Sequence, residues 1–156
     1  MNKKLYNLMD WPEIEAIEYA EEDQPWKILG AHIVGNATLY QAFLPGAVKA
    51  DVVLEDEELT ASMCMIDEAG FFACLMNHKT KKKYHYVVTD KEGKSRIYYD
   101  PYQYEVCLSK DEITKINSGL HYHVYEVLGA HFTTIDGQDG VLFRVWAPNA
   151  VSVSVV

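Results

Sequence analysis

"TLYQAFLPGAVKADVVL", residues 38–54, is two apolar runs hinged on Pro45 and Gly46. Proline removes a ladder donor and fixes its own φ, and glycine opens turn conformations closed to other residues, so the stretch reads as strand, tight turn, strand. The same punctuation continues downstream. "ASMCMI" (61–66), "FFACLM" (71–76), "KYHYVVT" (83–89), "SRIYY" (95–99) and "YEVCL" (104–108) are separated by "LEDEEL", "DEAG", "NHKTKK", "DKEG" and "DPY". Strands of about six residues recurring every ten or so predict a mainly β fold, an immunoglobulin-like antiparallel β-sandwich. The helix–strand alternation that builds a parallel sheet is absent.

Helical signals flank this region. In "DWPEIEAIEYAEED" (10–23), Asp10 as N-cap, Pro12 in the first turn and Glu13 at the third position suggest a capping box, with Ile14, Ile17 and Ala20 as the apolar stripe. "SKDEITKIN" (109–117) offers Ser109 with Glu112 for a second box and "SG" (118–119) as its stop. The expected organisation is an N-terminal helical segment (1–24), a β-sandwich (25–108), a helical connector (109–126, its helix near 109–118) and the start of a second sandwich (127–156).

Composition narrows the function. With 49% apolar and 24% charged residues the chain is globular, and 156 residues are enough for a core but not for a barrel enzyme. A net charge of −9 argues against a nucleic-acid partner, since phosphate binding needs a basic face. No run is long enough to span a bilayer, and "MNKKLYNLMDWPE" lacks the apolar centre of a secretory signal, so a cytoplasmic protein is expected. Seven acidic side chains in 10–23 and "EDEE" at 55–58 read as solvated faces. The tip "HKTKKK" (78–83) reads as a soluble hairpin end. Cys64, Cys74 and Cys107 lie in strand-like segments without metal-ligand spacing and read as reduced thiols. His121 and His123 share a strand face in "HYH" but lack a third ligand, so no metal and no cofactor is expected.

An internal repeat carries more information. "ILGAH" (28–32) recurs as "VLGAH" (127–131), and "PGAVKADVV" (45–53) matches "PNAVSVSVV" (148–156) at five of nine positions. The offset grows from 99 to 103 residues, an insertion assigned to the "DGQDG" turn. Two related units of about 100 residues are implied. Gly30 and Gly129 suit a turn where a Cβ would clash, His32 and His131 point to a turn role, and Trp146, equivalent to Phe43, is expected in a core.

"LGAH" (29–32), "FLPGA" (43–47), "AGFF" (69–72), "DPY" (100–102), "LGAH" again (128–131) and "GVLFRVWAPNAVSVSVV" (140–156) together make the chain similar to the bacterial 1,4-α-glucan (glycogen) branching enzymes. The resemblance implies a modular protein: an extra leading β-sandwich, a second one similar to family 48 carbohydrate-binding modules, a catalytic (β/α)8 barrel of glycoside hydrolase family 13 and a C-terminal β domain. It implies transfer of α-1,4 glucan segments to 6-hydroxyls in glycogen biosynthesis. The two carboxylates of that retaining chemistry belong to the barrel, so no residue here is expected to be catalytic.

What the resemblance leaves to this chain is glucan handling or domain positioning, with α-glucan and the remaining domains of the parent enzyme as partners. Sugar stacking needs exposed aromatic faces, and the candidates among the eleven tyrosines and the tryptophans are Trp26, Tyr84, Tyr86, Tyr98, Tyr99 and Tyr102. Alternation puts Tyr84 and Tyr86 on one strand face and His85 and Val87 on the other. The competing reading is a free-standing glucan-binding or scaffolding module without a barrel. Such a module would not be expected to stop two strands into a second unit. The apolar tail 141–156 is expected to pair with an edge of the first sandwich or in trans with another copy.

Overall fold

The computed structural model describes residues 3–57, 59–79, 83–104, 108–151 and 153. The chain divides into two compact units, Met1–Glu105 and Val106–Val156.

The first unit is an antiparallel β-sandwich with short helices at its N-terminus. Its strands are β1 (Gly30–Val34), β2 (Ala37–Phe43), β3 (Ala47–Leu54), β4 (Leu59–Ser62), β5 (Cys64–Asp67), β6 (Phe71–Met76), β7 (Tyr84–Asp90) and β8 (Ser95–Tyr98). One sheet runs β1-β2-β6-β5 and the other β4-β3-β7-β8. The opening stretch 38–54 therefore crosses between sheets at Pro45-Gly46. β1 was hidden in sequence because "GAHIVGN" is short and mixed, while the other predicted strands from 38 to 99 are present. "YEVCL", with Cys107, and the tip at 80–82 lie outside the described residues, fully or in part.

Each sheet supplies one face to the core. Tyr40, Ala42, Phe72, Cys74 and Met76 from the first meet Ala50, Val52, Leu54, Tyr84, Tyr86 and Val88 from the second. The first sheet also has a covered outer face, where Leu39, Phe71 and Ala73 pack with Leu5, Met9, Ile14, Ile17 and Leu29. Being buried on both faces is why β6 reads as a continuous apolar run without alternation, and why β2 buries even Thr38 and Gln41. Each fully buried aliphatic or aromatic side chain contributes about 1.5–3 kcal/mol. Cys74 and Cys64 are free thiols; burial, then the nearby Cys64, pushes the Cys74 thiol up to about 11.

Two helices cover that outer face, α1 (Lys3–Tyr6) and α2 (Trp11–Glu18). Leu5 from α1 and Ile14 and Ile17 from α2 carry the contact, whereas Ala20 lies past α2 with φ +57°. The capping box expected at Asp10 does not form: Asp10 makes no side-chain cap bond. Glu13, whose side chain would close the box, engages Glu22 instead, which pushes the Glu13 carboxyl up.

The second unit holds α3 (Lys110–Asn117), β9 (Gly129–Ile135) and β10 (Gln138–Arg144). Here the box is complete: the Glu112 N–H donates to Ser109 Oγ at 3.2 Å and the Ser109 N–H to Glu112 Oε2 at 2.8 Å. β9 and β10 form a two-stranded antiparallel hairpin. Residues 141–144 take β9 as their strand partner.

The repeat is visible in the backbone. Residues 24–43 and 123–146 each run 3-10 turn, positive-φ glycine, strand, two-residue turn, strand. Gly30 has φ +101° and Gly129 φ +106°. His32 Nε2 lies 3.0 Å from Leu29 O, and His131 Nε2 lies 3.0 Å from Leu128 O. The histidines tie each turn to the carbonyl three residues back. Both hairpins close with two residues, Gly35-Asn36 and Asp136-Gly137, so the four-residue insertion is not in the turn. It lengthens the hairpin by two residues on each strand: Gly30 pairs with Gln41 but Gly129 with Arg144. Trp146 departs from its expected core position. It is 51% exposed and its Nε1–H donates to Asn117 Oδ1 at 3.1 Å.

Candidate functional site

The quoted motif pieces of the first unit pair off in space. "LGAH" meets "DPY": a Cβ on Gly30 would stand 3.1 Å from Tyr102 Cβ, so the positive φ and the close approach both call for glycine. "FLPGA" meets "AGFF": a Cβ on Gly70, at φ +112°, would stand 2.7 Å from Leu44 O and 2.9 Å from Pro45 Cα, and the Leu44 N–H donates to Gly70 O at 2.8 Å. These motifs are sites of backbone contact.

Asp100 is the centre of the first junction. It is 2% exposed and accepts hydrogen bonds from Tyr84 Oη–H at 2.6 Å, Tyr86 Oη–H at 3.0 Å and the Tyr102 N–H at 2.9 Å. Burial foremost, with the Asp100 charge contributing, pushes both hydroxyls far up, so they stay protonated donors. The Tyr40 ring stands edge-on to Tyr84 at 4.9 Å, and Tyr84 edge-on to Tyr86 at 5.4 Å. This is a satisfied polar network inside an aromatic core.

The sequence candidates therefore separate. Tyr84 and Tyr86, at 1% and 0% exposure, are core side chains with no free face for a sugar, which corrects the expectation for both. The alternation that suggested a tyrosine face is real, but that face points inward. Tyr98, 38% exposed, stacks on Tyr86 at 6.5 Å, and Tyr99, 39% exposed, meets His85 edge-on at 5.8 Å. Tyr102, also 38% exposed, lies beside Asp100, and partial burial first, then Asp100, raises its hydroxyl and that of Tyr98. Trp26 is 56% exposed on the 3-10 turn Pro25–Lys27.

Two features were missed. Asp100 is signalled by "DPY" itself, an acid before proline placed to cap the N–H two residues on. Tyr125, at 66% exposure, sits on the 3-10 turn Val124–Glu126, the counterpart of the Trp26 turn; extending the repeat three residues upstream would have found it. In "HYH", His123 Nδ1 lies 3.1 Å from Tyr125 Oη and 3.6 Å from Glu126 Oε1. Among the described residues, no group of three His, Cys, Asp or Glu side chains is placed to hold a metal, and no helix is long and apolar enough to cross a membrane.

A family model, "alpha-1,4-glucan branching enzyme GlgB, N-terminal domain", matches residues 10–102. The chain belongs to this family. Its match takes in α2, the whole sandwich and the Asp100 junction. The chain is 36% identical over 150 residues to a 1,4-alpha-glucan branching enzyme GlgB of Trichormus variabilis, covering 92% of this chain and 19% of that protein. It is 38% identical over 149 residues to one from Bradyrhizobium sp., covering 93% of this chain and 20% of that protein. The chain thus spans about a fifth of the length of these curated relatives. Among solved structures it is similar to a pullulanase from Anoxybacillus sp. LM18-11, with TM-score 0.45 and 16% identity over 92% of this chain and 15% of that one, a loose likeness.

Proposed function

We propose that this chain is the non-catalytic leading region of a cytoplasmic 1,4-α-glucan branching enzyme, an enzyme that moves α-1,4 glucan segments to 6-hydroxyls in glycogen biosynthesis. The observation that carries this is the family match over 10–102 together with relatives that are named branching enzymes and are about five times longer. The relatives' length supports it over a free-standing glucan-binding or scaffolding module. Residues 1–24 and 25–108 serve as one helix-backed sandwich, 109–126 as a connector, and 127–156 as the opening of a second sandwich similar to carbohydrate-binding modules.

The role of the region is to hold α-glucan and to position the other domains of the parent enzyme. Four of the rings proposed from sequence, Trp26, Tyr98, Tyr99 and Tyr102, keep surface area for stacking, between 38% and 56% of each residue. The exposed side chains Val145, Val151 and Val153 favour pairing of the tail with a second copy of the chain.

Native electrophoresis with glycogen cast into the gel tests the glucan reading. The chain should be retarded as glycogen rises, while amylose incubated with it should keep its full iodine colour. Unchanged migration would remove glucan holding, and loss of iodine colour would overturn the non-catalytic assignment.

A further inference from the structure

The repeated turn preserves one feature that its packing does not explain. In residues 24–32 and 123–131 the 3-10 turn is capped alike: Ile28 has φ −108° and ψ −55°, Val127 φ −109° and ψ −50°. The Leu29 N–H donates to Pro25 O at 2.8 Å, and the Leu128 N–H to Val124 O at 2.8 Å. Leucine, glycine and histidine recur for reasons already given: turn bonding, positive φ and the carbonyl tie. Around them the side chains diverge, Gln24-Pro25 against His123-Val124 and Lys27 against Glu126. Only the middle position of the 3-10 turn keeps its character. It is Trp26 in one unit and Tyr125 in the other, and both rings are more than half exposed.

A lone exposed ring needs no explanation, but a ring exposed at the same place of two turns whose other side chains diverge marks a contact surface. The flanking groups select the partner. Gln24 and Lys27 border Trp26, and His123 and Glu126 border Tyr125, with the His123 ring 5.8 Å from the Tyr125 ring and its Nδ1 within hydrogen-bond reach of the hydroxyl. A single apolar face edged by donors and acceptors fits a pyranose, whose C–H face stacks and whose hydroxyls bond at the rim. It does not fit a protein interface, which needs a contiguous apolar centre. Of the rings proposed from sequence, Trp26 is the one more than half exposed, while Tyr98, Tyr99 and Tyr102 lie at 38–39%.

We propose that Trp26 and Tyr125 are equivalent stacking platforms for α-1,4-linked glucose, one presented by each copy of the repeated turn. The assignment rests on the glucan reading above and names its site.

The test is native electrophoresis of the whole chain in gels cast with increasing glycogen, repeated with free maltoheptaose as competitor. Trp26→Ala and Tyr125→Ala should each weaken retardation about tenfold, and the double variant should migrate as in a glycogen-free gel, whereas Tyr19→Ala, at an exposed ring outside the repeated turn, should behave as wild type. Trp26→Phe and Tyr125→Phe should rescue most of the binding, and unchanged circular dichroism should exclude unfolding. Retardation of wild type with unaltered binding by the double variant would overturn the platforms and leave the glucan reading standing. No retardation of wild type would overturn both.

Discussion

The hairpin β1–β2 and the hairpin β9–β10 follow nearly the same backbone, yet they are packed differently. Six of the seven residues of β2 are buried, while Phe132 of β9 is 93% exposed and Phe143 of β10 51%. What they share is local: a positive-φ glycine, a histidine bonded three residues back and a two-residue turn. What separates them is tertiary: β2 lies between a facing sheet and two helices, and β10 has β9 as its one strand partner among the described residues. Short-range sequence sets this turn with or without a core, and the core decides what the turn is worth.

Substitutions at matched and unmatched positions can break or sharpen that contrast. The largest effect is expected where packing alone matters. Asp100→Ala strands two buried tyrosine hydroxyls and should lower unfolding free energy by about 3–5 kcal/mol in urea titration. Gly70→Ala forces a Cβ into backbone at a positive φ and should cost about 3 kcal/mol, read as a fall in Tm. Next come the equivalent glycines. Gly30→Ala and Gly129→Ala share about 1–2 kcal/mol of left-handed strain, but only Gly30→Ala adds the Tyr102 contact, so it should cost roughly 1 kcal/mol more. His32→Ala and His131→Ala remove the same local bond and should speed amide exchange of the two turns alike, by about 1 kcal/mol each. Equal glycine costs, or unequal histidine costs, would contradict the division into local and tertiary causes.

The smallest expected effect is electrostatic and confined to the first unit. One oxygen of Glu18 is shut off from solvent, and burial first, then Asp67 on β5, holds its carboxyl above the ordinary range. A carboxyl raised in the folded state stabilises while protonated, below its unfolded value, and that contribution is lost as pH rises through the folded value. Glu18→Gln should therefore raise Tm at pH 7 by about 1–2 °C, with the gain gone by about pH 4, by calorimetry.

Much of the fold was legible because turn chemistry is local. Pro45-Gly46, the Ser109–Glu112 box and the LGAH glycines each carry their conformation in a few adjacent residues. The candidate site was less legible because exposure is not local. Tyr84, Tyr86, Tyr98 and Tyr99 look alike in sequence, and only sheet order decides that the first two face the core. Pro12 and Glu13 made Asp10 resemble the start of a capping box, but the Glu13 side chain turns to Glu22. Asp100 lies 14 and 16 residues from the tyrosines that define it. Tyr125 was hidden by starting the repeat at the identical residues instead of at the turn that presents them.

The central claim is that one turn, used twice, offers one aromatic ring to glucan in each unit. The most direct measurement is a maltoheptaose titration of the isotopically labelled chain followed by amide and indole shifts in a two-dimensional nitrogen–proton spectrum. Shifts should cluster at residues 24–28 and 123–127, including the Trp26 indole, and saturate together in wild type. Shifts confined to residues 95–104 around Tyr98, Tyr99 and Tyr102, or a spectrum that does not change, would contradict it.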